Sequence, residues 1–128
     1  MNKIEQIKLN WESLIFTHKK FEEAEMEVED ALDNFMECED KPQVRANLDR
    51  FVNLCEEHTE IGKKFAFDSN SLLKSVERLT EEEREKNVKF ISSLVKSLEG
   101  MLVSTENLEN KISQIKDIVV EVFNEENK

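Results

Sequence analysis

The chain has little of what turns and sheets are made from. Its 128 residues hold two glycines, one proline, two cysteines, one tryptophan and no tyrosine. Gly62, Gly100 and Pro42 are too few for a fold of hairpins and long loops, which draw on both residue types for their turns. The same scarcity excludes phosphate-cradling glycine loops. Cys38 and Cys55 cannot build the disulfide framework of a small secreted domain, so a reducing compartment is expected. The opening residues Met1-Asn2-Lys3-Ile4-Glu5-Gln6 are charged from the outset and lack the apolar core of a signal peptide. No run approaches the roughly eighteen apolar residues of a membrane span. Together these absences give a cytoplasmic expectation.

Basic charge is also short. Eighteen Lys and Arg stand against twenty-nine Asp and Glu, a net charge of -11. With no basic stripe carrying interleaved aromatics, direct nucleic-acid binding is not expected, and the same sign disfavours anionic membrane surfaces.

What is present is helical periodicity. Ile4, Ile7, Trp11, Leu14, His18, Phe21, Glu25, Val28, Leu32 and Phe35 recur at alternating spacings of three and four, with only His18 and Glu25 polar. Pro42 ends that pattern and suits the first turn of the next helix. A second seam runs through Val44, Leu48, Phe51, Cys55, His58, Gly62 and Phe65, and continues in phase through Ser69, Leu72, Val76 and Leu79. Thr80-Glu81-Glu82-Glu83 matches a capping box, so a third helix is expected from there. Its seam is Ile91, Leu94, Leu98, Met101, Thr105, Leu108, Ile112, Ile115, Val119 and Val122, with fraying over Asn124–Lys128.

The pattern predicts a single all-α domain over residues 1–128, an up-down-up bundle of about three long helices with coiled-coil-like packing. Asp68-Ser69-Asn70-Ser71 is the ambiguous stretch, because each residue prefers caps and turns. A break there would shorten the second helix and leave a short extra helix near residues 70–79. The continuous helix is the preferred arrangement.

Candidate chemistry is sparse. Cys55 and His58 are one turn apart and could supply one edge of a zinc site, but further ligands are lacking. A di-iron site needs Glu three residues before each ligand His, where this chain has Ile15 and Cys55. No nucleophile elbow or flanked catalytic thiol is present. No enzyme activity, metal or cofactor is expected.

Two features exceed this background. From Phe21 to Asp40 the chain carries ten carboxylates and no Lys, Arg or His. Glu23, Glu27, Asp30, Asp33 and Glu37 form the candidate acidic surface. The second feature is apolar residues placed off the seams: Leu9 and Phe16, seven apart on the far side of the first helix, Phe67 on the second, and Phe90 and Val95 on the last. A wide three-helix core could absorb much of this, but Leu9 and Phe16 face away from their own seam.

The expected function is therefore a non-catalytic protein-interaction module: an adaptor, assembly factor or secretion-type chaperone, with a basic or helical protein partner and possible self-association. The alternative is an acidic inhibitor that binds a nucleic-acid-binding protein by partial nucleic-acid mimicry.

Overall fold

The computed structural model describes residues 2–126 and is all-α, with no strand among them. Helix α1 spans Lys3–Glu37. Its first turn is closed by Asn2, whose side chain accepts a 2.8 Å hydrogen bond from the Glu5 N–H, while the Glu5 carboxylate accepts from the Asn2 N–H. This capping box satisfies two otherwise orphaned donors. The chain leaves the helix at Cys38 and re-enters at Asp40, with Pro42 in the first turn of α2.

Helix α2, Lys41–Glu77, runs unbroken through Asp68–Ser71. Ser69 is fully buried between the core residues Phe65 and Leu72, so apolar packing on both sides outweighs the few tenths of a kcal/mol by which such residues disfavour helix. The short extra helix does exist, but at α3, Glu81–Lys86, and not near residues 70–79. Thr80 caps it as the sequence indicates, accepting from the Glu83 N–H at 3.1 Å while the Glu83 carboxylate accepts from the Thr80 N–H at 2.9 Å.

The expected continuous third helix is interrupted at Asn87, and α4 covers Val88–Glu126. The Asn87 side chain donates to the Glu83 carbonyl at 2.9 Å, the kind of local bond with which asparagine competes against regular helix. Arg84 turns back and donates to the carbonyls of Val76 and Glu77, satisfying the end of α2. Fraying from Asn124 is not seen as far as Glu126, and Asn127 and Lys128 lie outside the described residues.

Two apolar clusters make the core. Ile7 and Leu14 of α1, Phe65, Leu72 and Val76 of α2, Leu79 just beyond it, and Leu94 and Leu98 of α4 form the first. Val28, Ala31, Phe51, Cys55 and Ile112 form the second. The α1–α2 contact is the more extensive, and α4 contributes to both clusters with a smaller contact to α2. Near the end of α4 the buried residue is Phe123, and the expected Val122 is 47% exposed. A straight helix drifts about 20° per heptad from a strict seven-residue repeat. Across five heptads that amounts to about one residue, which accounts for the shift.

Candidate functional site

Leu9 and Phe16 stand on the face of α1 opposite its seam and remain exposed, Phe16 at 59%. They line a groove with Glu12, Ser13, Thr17 and Lys20 of the same helix and Ile61 and Lys64 of α2, and no α4 residue lines it. Lys20 holds its ammonium 4.7 Å from the centre of the Phe16 ring. Through Ser13 the groove continues into a more polar cleft lined by Asn10, Asp68, Ser71 and Ser75, with Leu14 and Leu72 in its wall. Ile61 was not among the sequence candidates. Its signal is an apolar residue immediately before a seam position.

The remaining apolar candidates do not join this groove. Phe67 points out of α2 at 72% exposure. Phe90 and Val95 are half-buried and pack against the first core cluster, and the Lys8 ammonium lies 5.3 Å from the Phe90 ring centre. The five residues thus divide into an outward pair on α1, a lone outward Phe67 and two at the edge of the core.

Glu23, Glu27, Asp30, Asp33 and Glu37 are all exposed along the second half of α1. Met26 and Met36 are exposed among them, so the surface is acidic with apolar points, not uniformly charged. Glu22 pairs with the His18 Nδ1 at 2.9 Å. Glu25 turns towards the bundle, and burial, reinforced by Glu29 and opposed by Lys111, raises its pKa above the ordinary carboxylate value.

At mid-height the seams become polar. His58 is fully buried and stacked on Phe21 with ring centres 4.0 Å apart, and neither imidazole nitrogen has a hydrogen-bond partner. The Thr105 hydroxyl is likewise buried without a partner, as is that of Ser69. Each such group costs about 1–3 kcal/mol relative to a satisfied one. Gly62, one turn after His58, is covered by the Glu109 carboxylate and by Phe21, which occupy the space a side chain would need. Burial raises the pKa of Glu109, with Lys63 opposing. His58 is held below its ordinary pKa by burial alone.

Cys55 adjoins this layer, and burial pushes its thiol up to about 11, which keeps it protonated at neutral pH and a poor nucleophile or metal ligand. Among the described residues no group of three or more His, Cys, Asp or Glu is arranged to hold a metal ion. Nor is any helix among them long and apolar enough to cross a membrane. The chain has no significant match to a protein-family model, a curated protein or a solved structure.

Proposed function

We propose that the protein is a non-catalytic protein-interaction module, an adaptor, assembly factor or secretion-type chaperone acting in the cytoplasm. In this reading α4 is the third helix of an up-down-up bundle, and it leaves the opposite side of the α1–α2 hairpin open. The supporting observation is the Leu9–Phe16–Ile61 groove, where exposed Leu9 and Phe16 of α1 and half-buried Ile61 of α2 flank Ser13 and Thr17 with Glu12, Lys20 and Lys64 at the edges. Such a trough suits an amphipathic helix whose apolar residues recur every three or four positions. A second copy of this chain could supply that helix.

The acidic half of α1 acts at longer range. Exposed carboxylates attract a basic partner and raise its association rate, an effect that weakens with salt, while the groove determines which partner stays bound. The mimicry reading is weaker. The eight carboxylates of α1 from Glu22 to Glu37 are spread around the helix at about one per 3 Å, against about one per 1.7 Å of duplex axis, and Glu39 and Asp40 lie beyond its end.

Affinity capture from the native cell with three baits tests this reading: wild type, Phe16→Glu, and a charge variant carrying Glu23→Gln, Glu27→Gln, Asp30→Asn and Glu37→Gln. A specific partner should be lost with Phe16→Glu, because a carboxylate would have to be desolvated at the interface. It should survive in the charge variant with slower association and a shallower salt dependence. Loss with the charge variant alone, together with competition by DNA, would favour the mimic.

A further inference from the structure

The two apolar clusters do not merge into one core. Between them each long helix turns a polar or ionisable group inward: His18 and Glu25 from α1, His58 from α2 beside Gly62, and Thr105 and Glu109 from α4. His58 is the innermost of these and is sealed on one side by Phe21.

A neutral imidazole tolerates this enclosure, whereas an imidazolium carries two N–H donors and a charge that require acceptors or water. The titratable neighbours are few. On α1, His18 packs its ring 5.4 Å from Phe65 and is engaged with Glu22, and Glu25 lies one turn beyond Phe21. On α2 there are the Cys55 thiol and Lys63, which acts on Glu109. On α4, Glu109 rests on Gly62, with Glu106 and Lys111 nearby in sequence. None of them hydrogen-bonds His58.

We propose that this layer is an acid-operated latch: protonation of His58 separates α4 from the α1–α2 hairpin and exposes the seam that α4 covers. The site of opening follows from the packing. Phe21 binds the ring to α1 across the more extensive α1–α2 interface, whereas α4 closes the layer with the unpartnered Thr105 hydroxyl and the half-buried Glu109. Water reaches the ring at lowest cost when α4 leaves.

The pH window follows from the directions of the shifts. Folding holds His58 below its ordinary 6.5, so its contribution to stability is complete above that value and is lost as pH falls below it. Glu25 and Glu109 are raised above 4.5, so they take up protons more readily in the folded state and oppose the loss as pH falls further. The opening is therefore greatest below 6.5 and above the range in which those carboxylates titrate.

Native-state hydrogen exchange of the full chain, corrected for intrinsic rates, tests the latch at pH 7.5 and 5.5. One proton gives at most about a tenfold change in the opening equilibrium per pH unit. Protection of α4 amides around Leu98–Ile112 should fall by up to about tenfold on acidification, while α1 and α2 amides change much less. His58→Leu should abolish the fall. If that variant does not fold, His58→Gln, which is neutral at both pH values, should abolish it, and His18→Gln should leave it intact. Unchanged protection, a fall retained without His58, or equal loss in all three helices would overturn the proposal. So would increased α4 protection, the result expected if Glu109 captured the imidazolium as an ion pair.

Discussion

Replacing Phe65 with Ala is expected to destabilise the protein by about 3–5 kcal/mol, the usual cost of emptying a buried aromatic site. Phe65 is fully buried in the first cluster, where residues of α1, α2 and α4 meet, and it also supports the His18 ring. The same truncation two residues later, Phe67→Ala, should change stability by no more than about 0.5 kcal/mol, because that ring is 72% exposed. Thermal and urea denaturation followed by circular dichroism would separate the two variants. Comparable losses would mean that the seam assignment of α2 is wrong.

The second large effect belongs to α4. Leu98 is fully buried against α1 and α2 residues of the first cluster, and Leu98→Ala should cost about 2–5 kcal/mol. The loss should appear first as reduced amide protection in α4, since its contact with the hairpin is the smaller one. Val103→Ala, at a position 60% exposed on the same helix, provides the control and should be nearly silent. If Leu98→Ala were equally silent, α4 would not be part of the core, and neither the groove nor the latch could be argued from its position.

Much of this architecture is legible from residue spacing. The three-four seams locate Leu14, Phe21, Val28, Phe51, Phe65, Leu94 and Leu98 in the core, because burial of one stripe is what makes such a pattern stable. Thr80 and Glu83 mark a helix start because the reciprocal bond needs only residue types at fixed separation. The stop at Asn87 is less visible. A single asparagine is tolerated inside many helices, and here the break depends on a bond to Glu83 and on Arg84 turning back to α2.

The apolar surface shows where spacing alone runs out. Off-seam position identifies Leu9 and Phe16 as outward because they stand on the side of α1 opposite its buried stripe, where both remain exposed. The same criterion applied to Phe90 and Val95 does not distinguish an outward face from the edge of a core shared by three helices, and the structure packs both against the first cluster. Ile61 becomes visible only when α2 lies beside α1, since the groove belongs to the pair and to neither helix alone. The polar layer is similar: His18, His58 and Thr105 can each be read on a seam, but their common height requires the chain to be folded.

The central structural claim is that the Leu9–Phe16 stripe is exposed surface and not core. Thermal denaturation of purified Phe16→Glu against wild type tests it most directly. The substitution removes the Lys20 contact with the Phe16 ring, worth about 0.5–1 kcal/mol at an exposed site. It also places a Glu four residues before Lys20, a favourable helical pair of about 0.2–0.5 kcal/mol, and four residues after Glu12, an unfavourable pair of similar size. The two helical pairs offset each other and the net loss is about 0.5–1 kcal/mol, so the variant should keep its helical signal and melt within a few degrees of wild type. A melt lowered by 10 °C or more, comparable with the loss expected for Phe65→Ala, would show that Phe16 is structural and would contradict the account.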